Sequence, residues 1–93
     1  MVTISFKADE NRSIAYDENI EIGECTYQVS DGVWNINHTF VEPEYGGQGI
    51  AKQLVDKIIW QAREANTKVS ATCSYAINLF NKTDDYNDVL IDD

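Results

Sequence analysis

Three glycines, Gly46, Gly47 and Gly49, fall within four residues and lead into an apolar-periodic segment that opens at Ile50. A helix N-terminus presents unpaired amides and the positive end of the helix dipole. Glycines ahead of it remove the Cβ atoms that would keep a phosphate off those amides. The run is therefore predicted to hold a phosphorylated ligand. Two other side chains have chemistry of their own. Cys73, as a thiolate, is a nucleophile that can carry a transferred group; the alternative is a buried core cysteine, since free Cys is among the most buried residue types. His38 carries an imidazole, the side-chain type that suits a general base; the alternative is a hydrogen-bonded core histidine, because it alternates with Trp34, Ile36 and Phe40.

These residues need elements to position them. Val2, Ile4 and Phe6 alternate with polar residues and predict a first strand. Residues 13–16 predict a second and residues 20–29 a third, with a phase slip at Gly23-Glu24 that marks a bulge. Asp31-Gly32 between alternating runs predicts a hairpin. The fourth strand, Val33 to Val41, places Trp34, Ile36, His38 and Phe40 on one face and is ended by Pro43. It feeds directly into the glycine loop. Ile50, Leu54, Val55, Ile58, Ile59 and Ala62 then recur at helical spacing, and Asn66 is a left-handed stop. Residues 68–75 predict a fifth strand, with Val69, Ala71, Cys73 and Tyr75 alternating; residues 76–82 predict a short helix, and the acidic tail to Asp93 a final turn or edge strand. The expected class is α+β: an antiparallel meander, then a β-α-β unit that makes the sheet mixed, with the main helix on one face.

The chain has 93 residues, which suits one domain, residues 1–93, with one modest core. Sixteen Asp and Glu against seven Lys and Arg give a formal charge of −9. That balance argues against nucleic acid or an anionic membrane as partner and is compatible with a cationic one. Cys25 and Cys73 are far apart and no C-x-x-C pair exists, so neither a zinc site nor a disulfide scaffold is expected. No signal peptide or membrane span is visible, which makes a reduced, cytoplasmic protein, monomeric or weakly dimeric, the expectation.

The ligand class narrows further. A Walker loop needs Lys then Ser or Thr after its last glycine, whereas Ile50-Ala51 follows Gly49. A dinucleotide fingerprint follows the first strand of a parallel sheet, not a meander. Gly46-Gly47-Gln48 spells the tripeptide of peptide-chain release factors, but those place it in a basic domain.

The run Val41-Glu42-Pro43-Glu44-Tyr45-Gly46-Gly47-Gln48-Gly49-Ile50-Ala51-Lys52-Gln53-Leu54-Val55 resembles the acetyl-CoA loop of the GNAT superfamily of N-acetyltransferases. The pattern there is Gln or Arg, two free positions, Gly, one free position, then Gly or Ala. Gly49 and Ala51 match its last two fixed positions; Gly46 stands where Gln or Arg is usual, which removes one side-chain contact. His38-Thr39 and Cys73-Ser74-Tyr75-Ala76 extend the likeness over residues 20–90 to a small bacterial-type branch of about this length. The resemblance implies a GNAT-like acyl-CoA N-acyltransferase sheet whose fourth and fifth strands splay at the loop. It implies acetyl-CoA as cosubstrate and no metal. The pantetheine arm would pair with backbone of Thr39, Phe40 and Val41. The pyrophosphate would rest on amides of Gly46, Gly47, Gln48, Gly49, Ile50, Ala51 and Lys52, and the thioester would point towards His38 and Cys73. Phe80 falls where many members carry a proton-donating Tyr. The expected function is transfer of an acetyl group to an amine of a protein, a peptide or a small molecule, possible through Cys73; the alternative is a non-catalytic acyl-CoA-binding or sensing module.

Overall fold

In a computed structural model, which describes residues 1–91, five strands form one sheet in the order β1-β2-β3-β4-β5. They are β1 (Val2–Lys7), β2 (Arg12–Asp17), β3 (Ile20–Ser30), β4 (Val33–Val41) and β5 (Lys68–Ala71). The first four pair antiparallel and β5 joins β4 in parallel, so the meander and the β-α-β unit are both present. Helix α1 (Ile50–Glu64) joins β4 to β5, and α2 (Ser74–Lys82) follows β5.

Helix α1 crosses all five strands. Its buried residues are those of the apolar stripe: Ile50, Leu54, Val55, Ile58, Ile59 and Ala62. It ends where the sequence asks it to. Asn66 takes a left-handed φ of 56°, and the Thr67 amide donates back to the Ala62 carbonyl at 3.0 Å, the bond that closes a Schellman cap. One polar side chain is sealed beneath the helix: Ser13, fully buried, donates to the Leu54 carbonyl at 2.8 Å.

The C-terminal segment returns to the sheet. Val69 donates to Val89 and Ile91 donates to Val69, forming a single parallel bridge between Val69 and Leu90. Arg63 holds the segment with a two-pronged bond to Asp88, both prongs at 2.9 Å. Of the expected final turn or edge strand, the turn is present over residues 85–89 and the strand is reduced to a bridge; Asp92 and Asp93 of the expected tail lie outside the described residues.

Two local departures matter for the site. In β4, Thr26 pairs with His38 and Tyr27 with Ile36, which leaves Asn37 as an extra, bulged residue. A bulge reverses the side-chain phase beyond it. Ile36 is fully buried, whereas His38 and Phe40 are exposed, so the expected shared face of Trp34, Ile36, His38 and Phe40 is corrected: its second half is turned over. The slip in β3 falls one residue earlier than expected, at Ile22, between the pairs Tyr16–Glu21 and Ala15–Gly23. The second departure is at β5, which stops at Ala71 rather than Tyr75. The amides of Thr72 and Cys73 converge on one acceptor, the Ile36 carbonyl, at 2.9 and 3.1 Å, and the ladder closes there. Cys73-Ser74-Tyr75-Ala76 is therefore a helix start, with Cys73 as its N-cap, and not a strand.

Gly23 sits where β3, the end of β4 and α1 meet. A Cβ built there lies 2.9 Å from the Phe40 carbonyl oxygen, 3.3 Å from Val41 Cγ2 and 3.4 Å from Leu54 Cδ1. A methyl group normally stabilises over glycine by about 0.4–1 kcal/mol through the unfolded state, but overpacking against backbone costs about 1–3 kcal/mol and should win. Gly23→Ala is expected to lower the free energy of unfolding by about 1–2 kcal/mol in urea titration; unchanged or raised stability would show that the β3–β4–α1 junction yields freely.

Candidate active site

Beyond Ile36, β4 has β3 on one side and no strand on the other: its pairing with β5 covers Val33 to Ile36 only. Residues 37–41 thus line an open wedge whose other wall is the start of α2. Backbone groups on a strand edge of this kind are available to a ligand.

The wedge opens onto the glycine loop. Pro43–Tyr45 forms one 3-10 turn after β4, tied back by the Glu42 amide to the Ile22 carbonyl at 2.8 Å. The Tyr45 hydroxyl donates to Asp17, whose other oxygen takes the N-terminal ammonium at 3.1 Å. These two bonds, Tyr45 first, hold the Asp17 carboxyl below the usual carboxylate range. Gly47 and Gly49 take φ of 80° and 77°, a region in which a side chain is strained. Gly49 is the N-cap of α1 and supplies no side-chain cap, so the first-turn amides face outward unpaired. A cleft of about 210 Å³ lies over them, lined by Val41, Tyr45, Gly46, Gly47, Gly49, Ile50, Ala51 and Tyr75. A larger concavity of about 360 Å³ lies by Ile4 and Trp60 on the other side of α1, but it presents no loop amides.

At the closed end of the wedge stands a chain of three side chains. Cys73 Sγ donates to Thr39 Oγ1 at 3.5 Å, and the Thr39 hydroxyl donates to Cys25 Sγ at 3.4 Å. The bulge at Asn37 is what turns Thr39 inward to meet them. Cys25 is fully buried, and burial pushes its thiol up to about 12 in spite of the Thr39 hydrogen bond. Cys73 is partly exposed. Burial raises its thiol too, but the polar contact with the Thr39 hydroxyl and the nearby amides of Ala76, Tyr75 and Thr39 act the other way, and the net shift is downward. No bond to Sγ meets the geometry of a helix cap; the nearby first-turn amides of α2 lower the thiol from its ordinary value by stabilising the anion.

The structure thus brings Thr39, Val41, the glycine loop and Cys73 around one wedge. It does not bring His38 there. With the phase reversed, His38 lies on the opposite face, its Nε2 3.8 Å from Glu24 Oε2. Glu24 is itself one of three carboxylates, with Glu10 and Glu21, gathered by Arg12. Phe40 is on the same outer face, and only its backbone borders the wedge. Lys52 stands in the first turn of α1 with its ammonium on Asp56 at 2.8 Å, which keeps its pKa raised. Phe80 packs against Tyr86 with ring centroids 5.1 Å apart. Sequence reasoning missed the Thr39 side chain, Cys25 and Tyr75. Only Tyr75 had a local signal, two residues past Cys73. Among the described residues, no three His, Cys, Asp or Glu side chains group as metal ligands, and no helix is long and apolar enough to cross a membrane.

A mixed sheet that parts beside a glycine-lined helix start defines a class, and comparison with known proteins agrees on it. Residues 11–89 match the family described as GCN5-related N-acetyl-transferase. A GCN5-like protein from Staphylococcus aureus, described as an N-acetyltransferase and solved by NMR, is 40% identical, with 96% of this chain aligned to 87% of that one at a TM-score of 0.75. The PaiA N-acetyltransferase of Thermoplasma acidophilum, solved with coenzyme A, is 14% identical over 76% of this chain and 48% of its own, TM-score 0.64. A GNAT acetyltransferase from Elizabethkingia anophelis, solved with acetyl-CoA bound, is 23% identical over 76% and 50%, TM-score 0.63. The last two show the fold alone. No curated protein matches the chain. The chain belongs to the GCN5-related N-acetyltransferase family, a family of acetyltransferase enzymes.

The two cysteines should separate chemically. Iodoacetamide applied to the native protein at neutral pH is expected to modify Cys73 and leave Cys25 untouched until the chain unfolds, read by peptide mass. Equal labelling of both in the native state would contradict the burial and ionisation described.

Proposed function

We propose that the protein binds acetyl-CoA in the wedge and transfers the acetyl group to an amine by way of Cys73. The observation that carries this is the wedge itself, which runs from unpaired loop amides at one end to the partly exposed sulfur of Cys73 at the other. The amides of residues 46–52 receive the pyrophosphate, and the free edge of Thr39, Phe40 and Val41 pairs with the pantetheine arm. Lys52 adds a cation beside the loop. Tyr75, on the cleft wall, packs against the arm.

In the first step the Cys73 thiolate attacks the thioester carbonyl. A sulfur–carbon bond forms to Cys73, the bond from carbonyl to CoA sulfur breaks, and CoA leaves as thiolate to take a proton from solvent. In the second, a neutral amine attacks the acetyl-Cys73 carbonyl. The amide forms, the amine proton passes to solvent, and the Cys73 thiolate is regenerated. A leaving thiolate is a weak base, so the absence of a phenol at Phe80 does not stop the first step. His38, on the outer face, has no part in this reading.

The acceptor side of the wedge is open. Nine net negative charges favour an acceptor that arrives as a cation and loses its proton at the site. The same wedge without transfer is a CoA-binding module, and the packing of Phe80 on Tyr86, with no proton to give, favours that second reading.

Intact mass after incubation with acetyl-CoA separates the two. A gain of one acetyl group, absent in Cys73→Ala, is expected; amide NMR shifts around the loop without a mass gain would leave direct transfer to the amine or binding alone, and no shifts at all would sink every reading. A Gly49→Val variant tests the anchor. A Cβ at Gly49 meets nothing within 4 Å, so the cost comes from the positive φ, about 1–2 kcal/mol. The fold is expected to survive, while affinity for CoA in calorimetry falls at least about tenfold, since the side chain stands among the anchoring amides. Normal affinity would place the pyrophosphate elsewhere.

A further inference from the structure

Thr39 has one hydroxyl proton and two sulfurs to serve. At present it gives that proton to Cys25 at 3.4 Å and accepts from Cys73 at 3.5 Å. A hydroxyl can donate only once. When Cys73 loses its own proton it can no longer donate, and the Thr39 oxygen is left facing an anion with its lone pair. The favourable response is rotation of the Thr39 O–H towards Cys73, which surrenders the bond to Cys25. We propose that Thr39 is a positioning residue whose hydroxyl turns from Cys25 to Cys73 as Cys73 ionises, and that Cys25 opposes this turn by competing for the same proton. The inference rests on the reading of Cys73 as nucleophile, and it assigns Thr39 a side-chain role separate from any backbone contact to the pantetheine arm.

The neighbourhood suits such a device. The titratable groups that face Cys73 are Cys25 from β3 and Tyr75 from α2, and both hold their protons at neutral pH, Cys25 because burial pushes it up to about 12 and Tyr75 because burial raises its phenol. The Lys52 and Asp56 charges on α1 act on Tyr75, and His38 and Glu24 lie on the other face of the sheet. The largest influences on Cys73 other than burial are polar neighbours, the Thr39 hydroxyl and the amides of Ala76 and Tyr75. Cys25 is the weaker claimant because a neutral thiol is a poor acceptor, whereas a thiolate is a strong one.

Alkylation of Cys73 by iodoacetamide, followed by peptide mass across about pH 6 to 10, reads the thiolate directly and needs no acetyl-CoA. In Thr39→Val the midpoint is expected to rise by about one pH unit, with labelling near neutrality slowed about tenfold. Thr39→Ser, which keeps the hydroxyl, should retain the wild-type profile. Cys25→Ala should move the midpoint the other way and speed labelling about threefold, and that gain should vanish when Thr39→Val is added. A profile unchanged in Thr39→Val overturns the proposal. So does a rise in midpoint on Cys25→Ala, or a gain from Cys25→Ala that persists without the Thr39 hydroxyl. These outcomes are independent of acetyl transfer: an acetyl mass gain that survives Cys73→Ala defeats the nucleophile reading and leaves the alkylation profiles to decide the role of Thr39.

Discussion

One carbonyl decides the shape of the site. The oxygen of Ile36 accepts from both Thr72 and Cys73, and with that double acceptance the parallel ladder has nothing left to extend it. The chain leaves β5 after four residues and winds into α2, while β4 runs on for five more against β3 alone. The gap between them is therefore not an accident of loose packing. It is bounded by hydrogen-bonded backbone on one wall and by a helix start on the other. The bulge at Asn37 lies immediately beyond the same carbonyl and supplies the second condition: it turns Thr39 inward and His38 outward.

The loop that closes the other end of the wedge depends on this arrangement as well. Strand β4 carries the chain to Glu42, whose amide is fixed on Ile22, and Tyr45 is fixed on Asp17. The glycines that follow are thereby held against the sheet while their amides stay free. Rigid attachment before the loop and an uncapped helix after it give preorganisation without prior occupancy, which is what recognition of an anion by backbone requires.

Much of this was legible in the residues. The apolar stripe of α1, the stop at Asn66, the hairpin at Asp31-Gly32 and the glycine loop are local signals, and each is found where the sequence places it. The bulge was not legible. Through Trp34, Ile36, His38 and Phe40 the alternation continues without a break, and only pairing with β3 reveals that Asn37 is extra. The end of β5 was hidden for a like reason: Val69, Ala71, Cys73 and Tyr75 keep a period of two, although the strand loses its partner after Ala71. The Cys25–Thr39–Cys73 chain spans separations of 14 and 34 residues, and no local pattern reports contacts of that range. Functional geometry here is made by tertiary pairing, which is where sequence periodicity stops informing.

The return of the C-terminal segment to Val69 has a consequence for how this sheet meets its surroundings. An unprotected strand edge is a template on which another chain can add. At β5 that edge is occupied by Val89, Leu90 and Ile91 and locked by Arg63 on Asp88. Among the described residues the outermost strand left uncovered is β1, whose run of six residues is met at one end by the ammonium–Asp17 pair. Strand addition at the outer rim of the sheet is thereby left to β1, while the other unpaired backbone, residues 37–41 of β4, is recessed between β3 and the start of α2.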